Sequence, residues 1–259
     1  MLKWLSLLII LTVSSVNYAW SQVWRKTPIE VFGGLSGLHY FGDIGGTADA
    51  SNLMGLKDIK ISSMRPGIIV GARYRISKPF QVKAYYSTGF LAQTDKGSRN
   101  ERRNFAFFTY TNEVSVLAEY YFLPESDENY FYSIMQVRGG LRHFKRPWSA
   151  YVSLGAGALN YYVSARENLI GSNRFIGNKH FTMVIPVGIG VKYAIYPRIS
   201  VGAELGAKYT LSDYIDGYTS IYSQHNDLFY TFVIKANFKL NYQVKRNIGV
   251  PRKKKFFFF

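Results

Sequence analysis

Cysteine is absent from all 259 residues, which excludes a disulfide framework, a thiolate metal site and a cysteine nucleophile. Long apolar runs are missing too. The one extended run, WLSLLIILTV at residues 4–13, is half of the roughly 20 residues that a membrane-crossing helix needs. Any membrane crossing must therefore use strands. Histidine is scarce, with four residues in the chain, and their spacing supplies no set of converging metal ligands.

At the start of the chain, Lys3 precedes the apolar run, and a polar stretch then ends Ala19-Trp20-Ser21 before Gln22. Ala19 and Ser21 stand third and first before a cut after Ser21, the pattern that a signal peptidase reads. Residues 1–21 are thus expected to be a signal peptide, 22–242 a barrel domain and 243–259 a basic tail. The formal net charge of +16 would suit nucleic acid, but an export signal argues against that partner, and the basic residues form no recognised nucleic-acid module. Lipid phosphates, anionic surface sugars or acidic proteins fit better.

The chain contains 21 Tyr, 19 Phe and 23 Gly, yet its mean hydropathy is only −0.07. A membrane barrel averages this way because apolar outward positions alternate with polar inward ones. From Pro28 onward the periodicity predicts eight strands, at roughly 29–40, 65–76, 80–91, 108–122, 149–163, 181–195, 199–212 and 228–242. Alternation is strict in the seventh. Ile199, Val201, Ala203, Leu205, Ala207 and Tyr209 share one face, and Ser200, Gly202, Glu204, Gly206, Lys208 and Thr210 the other. Read as helix, these windows would scatter charges over every face and leave glycines inside, each costing about 1 kcal/mol relative to alanine.

Connections alternate in length. IS-KP and YP-RI are tight turns, whereas 41–64, 92–107, 164–180 and 213–227 are long and polar. The expectation is an all-β, eight-stranded antiparallel transmembrane barrel in a Gram-negative outer membrane, with short periplasmic turns and four long extracellular loops. One long periplasmic insert, residues 123–148, breaks the pattern. It carries PESDEN and then Arg138, Arg142, His143, Lys145 and Arg146, and reads either as a solvated or membrane-surface segment or as a docking element. Aromatic clusters at Phe107, Phe108 and Tyr110, and at Tyr120, Tyr121 and Phe122, are expected at the two membrane interfaces.

With apolar faces toward lipid, Glu30, Arg73, Arg75, Lys83, Glu113, Glu119, Lys192, Glu204, Lys208, Lys235 and Lys239 point inward. An eight-stranded bore is only wide enough for its own side chains, so a salt-bridged plug is expected rather than a pore. His39, His180 and His225 fall near the outer rim, but no local motif presents a nucleophile, base and orienting group together. No enzyme, cofactor or metal site is therefore expected.

Two stretches carry a resemblance. GLSGLHYFGDIGG closes the first strand, and IPVGIGVKYAIYPRISVGAELGAKYTLSDYIDGYTSIY spans the sixth and seventh strands into the last loop. Together they resemble the PorG-like outer-membrane barrels of Bacteroidota. The matching residues are Tyr40, Gly42 and Asp43, then Asp213, Tyr214, Ile215 and Asp216. Ser212 stands where the family usually has Thr, and Gly217 replaces the second residue of a common Asp-Asp pair. The resemblance implies a non-enzymatic role in type IX protein secretion, with the barrel tethering a periplasmic ring of partner proteins.

Physically, Gly42 is expected to permit an unusual backbone, and Asp43, Asp213 and Asp216 to order turns. A periplasmic partner would meet the insert and the tail, where Lys245, Arg246, Arg252, Lys253, Lys254 and Lys255 lie. Such tails are equally read as solvated or as lying on anionic surfaces. The Phe256–Phe259 run resembles a barrel-assembly signal displaced beyond the last strand. The competing functions are a stand-alone OmpA-like structural or adhesive barrel, and a small pore or rim lipid enzyme.

Overall fold

Eight strands whose residues alternate between two environments can satisfy every backbone donor and acceptor in lipid only by closing on themselves, and the chain does so. The computed structural model describes residues 29–45, 63–98, 100–125, 147–196, 198–218 and 226–240. The strands are β1 (Ile29–Phe41), β2 (Arg65–Arg75), β3 (Phe80–Thr94), β4 (Phe105–Leu123), β5 (Trp148–Glu167), β6 (Phe181–Ala194), β7 (Ile199–Thr210) and β8 (Leu228–Lys239). Neighbours pair antiparallel in sequence order, and β8 returns to β1 from Glu30↔Lys239 to Phe41↔Leu228, closing the barrel.

The expected strands sit where periodicity placed them, but three are longer. β3 runs on to Thr94, β4 starts at Phe105 and β5 ends at Glu167. The ladders Thr94↔Ala106 and Phe105↔Glu167 continue the pairing, so the loops expected at 92–107 and 164–180 shorten to 95–104 and 168–180. A membrane-spanning strand needs about 9–11 residues; β4 has 19 and β5 has 20. The wall is therefore taller on that side. The signal peptide, residues 126–146 of the insert and the tail lie outside the described residues.

The exterior is apolar. Ile68, Val114, Leu154, Val187, Ile189, Leu205 and Ile234 are each about half exposed. Aromatic pairs mark two levels. At the tight-turn end Phe80 packs on Tyr120 and Trp148 on Tyr193; at the loop end Phe90 packs on Phe108 and Tyr110. Along β6, Phe181 and Tyr193 are twelve residues apart, about 28 Å along the membrane normal at a 45° tilt. That matches a hydrocarbon core, and the molecule is a barrel of the outer-membrane type. Two residues expected in the girdles turn inward instead. Phe107 and Tyr121 are each 1 % exposed, because their outward neighbours Phe108 and Tyr120 occupy the lipid face and adjacent residues must alternate.

The two tight turns are closed by Ile76 and Ile195 N–H donating to the Phe80 and Ile199 carbonyls, and in barrels of this type short connections stand at the periplasmic end. The lack of native cysteine makes this directly testable. A single Ile170→Cys, in the third long loop, should react with a membrane-impermeant maleimide on intact cells. A single Lys78→Cys, in a tight turn, should react only after permeabilisation. The reverse pattern would invert the orientation.

Candidate functional site

The lumen and its loop-end mouth are the two places where this barrel could transmit or bind anything. All eleven inward charges expected from alternation are buried. A twelfth was missed: Glu125, assigned by sequence to the insert, is 8 % exposed and sits in the tight-turn opening. Lys239 and Arg75 donate to it, and Lys192 lies 3.7 Å away. A bulge lies just before it, where Tyr120↔Val152 is followed by Leu123↔Ala150. Glu125 keeps the inward phase of Glu119 and Tyr121, but it stands beyond Pro124 and the end of β4, in a stretch that reads as loop.

Five carboxylates therefore share the lumen with seven cations. At the centre Arg73 donates through Nη1 to Glu30 (2.5 Å) and Asn237 (2.9 Å) and through Nε to Glu119 (2.8 Å), with its guanidinium over the Phe32 ring. Lys192 holds the other side of Glu30 at 2.7 Å, and Lys83 and Lys235 both hold Glu204. Nearer the mouth, Glu113 accepts from Lys208, Tyr85 and Ser115. Arg73, Lys83, Lys192, Lys235 and Tyr151 are all under 2 % exposed. The side room lined by Ser36, Ser87, Lys208 and Thr231 is water-sized. The bore is filled, as expected of this strand number.

The mouth is closed by different chemistry. Leu38, Tyr40, Ile44, Leu91, Phe107, Leu159, Tyr161, Leu169, Ile215, Tyr218 and Phe229 belong to one buried apolar cluster that joins the strand ends to the first, third and last loop-end connections. Ile215, fully buried, comes from the last loop; its carbonyl accepts from Thr109 (2.7 Å) and its N–H donates to Asp227 (2.9 Å). Asp95 binds the first loop to the β3–β4 hairpin. It accepts from Gly45 N–H and from Arg103 Nε (2.7 Å), while Arg103 also donates to the Asp43 carbonyl (2.9 Å) and lies over Phe105 and Tyr218.

The motif residues, separated by some 170 positions in sequence, converge here. The Tyr40 hydroxyl donates to Asp227. Asp216 is fully buried beside it and orders the turn by accepting from Tyr218 N–H at 2.9 Å. Tyr214 contributes its carbonyl to Gly217 N–H and its ring to Lys179. The expectation for Gly42 needs correction. Positive φ occurs at Gly45, Gly97 and Gly217 and not at Gly42. A Cβ on Gly42 would lie 2.0 Å from Tyr40 Oη and 2.6 Å from Asp227 Oδ1, so glycine is required by close approach. Asp227 was outside the motif; only its place at the last loop's end, ahead of β8, could have flagged it. The partner-binding candidates Arg138, Arg142, Lys145, Arg146, Lys245, Arg246, Arg252, Lys253, Lys254 and Lys255 lie outside the described residues, as does His225. His39 lies on the β1–β8 seam opposite Tyr230 and His180 on the β5–β6 seam against Tyr161. The two seams are three strands apart in the ring of eight. Among the described residues no group of three metal-ligating side chains converges.

Burial and the neighbouring charge of Asp227 push the Asp216 carboxyl well above the ordinary carboxylate range. Burial likewise pushes Asp227 up to about 8, against the donations from Tyr40 and Ile215 and with the charges of Asp213 and Asp43. The closed mouth thus binds more protons than the unfolded chain from about pH 4 upward. Its stability is fullest below that and is lost as pH rises through about 8.

The family described as Domain of unknown function (DUF6089) matches residues 3–239. No curated protein sequence matches. Among solved structures, the Yersinia pestis attachment invasion locus protein Ail is 12 % identical, covering 83 % of this chain and 99 % of its own, with a TM-score of 0.44. Neisserial surface protein A is 14 % identical (82 % and 97 %, TM-score 0.43). Pseudomonas aeruginosa OprG is 8 % identical (84 % and 98 %, TM-score 0.46).

Two outcomes test the site. Arg73→Met leaves Glu30 to Lys192 and Glu119 to Lys83, so it should destabilise the barrel by less than the roughly 3–5 kcal/mol of a fully unpaired buried charge, read from urea unfolding in lipid vesicles. Exchange of the Tyr218 amide should accelerate between pH 6 and pH 9 beyond the intrinsic base-catalysed rise as the mouth loosens. Asp216→Asn should flatten that excess.

Proposed function

The chain belongs to that family of unknown function, and we propose that it is a non-enzymatic outer-membrane barrel that anchors or scaffolds a periplasmic protein-secretion complex, as the resemblance to PorG-like barrels implies. The observation that carries the reading is the convergence of Tyr40 and Gly42 from one motif and Asp216 from the other around the buried Asp227, within range of the charge of Asp43. Two distant motifs that pack as a unit support the resemblance better than either stretch of sequence does.

The filled bore and closed mouth favour holding over conducting. The separation of His39 from His180 disfavours rim catalysis. β4 ends and β5 begins at the tight-turn end, where β8 also ends. The insert and the basic tail therefore leave the barrel on the same, periplasmic side, where a ring partner would bind.

Crosslinking and pull-down from outer membranes tests this with three forms: the full chain, one lacking residues 243–259, and one with residues 134–147 replaced by a short turn. Recovery of periplasmic ring proteins by the full chain, lost in either altered form, is the expected result. Recovery of nothing specific would leave a stand-alone structural or loop-displaying barrel.

A further inference from the structure

Charges at the loop end are segregated. Asp95, Asp216 and Asp227 are buried in the mouth, whereas Arg102, Arg166 and Lys179 are exposed. Of the exposed carboxylates there, Glu167 is held by Lys96 at 2.9 Å and Glu101 lies beside Arg102 in a single 3-10 turn. Among the described residues, no carboxylate pairs with the Arg166 guanidinium.

Arg166 has a built setting. It stands on the outward face of β5, in phase with the lipid-facing Tyr162 four residues earlier and opposite Ala106 of β4. Four strand residues rise about 10 Å along the normal at a 45° tilt. The side chain then folds back so that its guanidinium lies over the Phe108 ring, 4.7 Å from the centroid. Phe108 itself stacks on Phe90 in the loop-end girdle. This places a fixed cation just above the aromatic belt, at the level of lipid headgroups. Stacking leaves the edge of the guanidinium free, and that edge matches two oxygens of a phosphate.

We propose that the outer wall of β4–β5 at the loop end is a docking site for a phosphate of an outer-leaflet lipid, gripped by Arg166 on its Phe108 platform. The phosphate supplies the acceptors that no described carboxylate gives the Arg166 guanidinium. Acyl chains of the same lipid run down the face formed by Tyr110, Tyr162 and Leu154, whose side chains are exposed. The site rests on the barrel crossing the outer membrane with its long loops outside and is independent of any secretion role, so this assay and the pull-down fail separately.

The test uses the full chain folded in detergent, with bound lipid counted by native mass spectrometry. The probes are bisphosphorylated lipid A and the same lipid with its phosphates removed. The wild type should retain the phosphorylated form about tenfold better, the scale of one charge-assisted bidentate contact. Arg166→Gln should abolish that preference. Arg166→Lys, which keeps the charge without the fork, and Phe108→Leu, which keeps the fork without its platform, should each give an intermediate preference. Heat-modifiable migration in gels confirms that each variant is folded. The proposal is overturned if Arg166→Gln keeps the preference, or if it loses both lipids equally, since that would report lost acyl packing rather than a lost phosphate contact. Should Arg166→Gln not fold, an unchanged preference in both of the other variants overturns it as well.

Discussion

The narrow bore of eight strands is the constraint from which most of this molecule follows. A ring that small has no room for bulk water, so whatever alternation sends inward must pack against its opposite wall, and any charge among it must find a counter-charge there. Arg73 meets that demand by touching residues from β1, β4, β5 and β8 at once. Size is distributed to match. Glycines stand beside the large inward residues of the neighbouring strand: a Cβ at Gly155 would fall 2.7 Å from a side-chain atom of its partner Leu117 and one at Gly190 2.4 Å from the ring of its partner Tyr151.

The two ends of the bore are finished differently, and the difference is physical. At the tight-turn end Glu125 completes a cationic group formed by Arg75, Lys192 and Lys239. At the mouth Asp95 has its Arg103, but Asp216 and Asp227 are gathered together, and there a phenol and backbone N–H groups stand in for counter-cations. The first end is an ionic closure and the second a proton-dependent one. The middle is a network in which no single pair is decisive, since most members have two or more partners.

Much of this was legible in the sequence. Period-two alternation in the segment beginning at Ile199 and in its neighbours gave strand identity, number and facing, because a two-sided wall between lipid and a polar lumen is the strongest pattern a strand can carry. Every inward charge on a regular strand was read correctly for the same reason. Glu125 was not, because it lies past the end of β4, in a Pro-, Ser- and Asp-containing stretch that reads as loop. The extensions of β3, β4 and β5 were not, because beyond the membrane the outward face need no longer be apolar. The role of Gly42 was misread because its need is steric and comes from Tyr40 and Asp227, a pair that no local window contains. The mouth as a whole was invisible for that reason, since it is built from contacts between loops rather than from periodicity.

The Tyr40–Asp227 hydrogen bond joins the end of β1 to the residue ahead of β8, and so it straddles the seam where first strand meets last. In a chain threaded strand by strand, that seam is the final one available. The mouth cluster, with Ile215 pinned by Asp227 and Thr109, therefore has no complete scaffold until the ring has shut. An open sheet of seven or eight strands, however well paired, would carry the lumen charges but not the lid. The lid is thus a record of circular completion written at the surface, and its presence separates a finished barrel from every curved intermediate that preceded it.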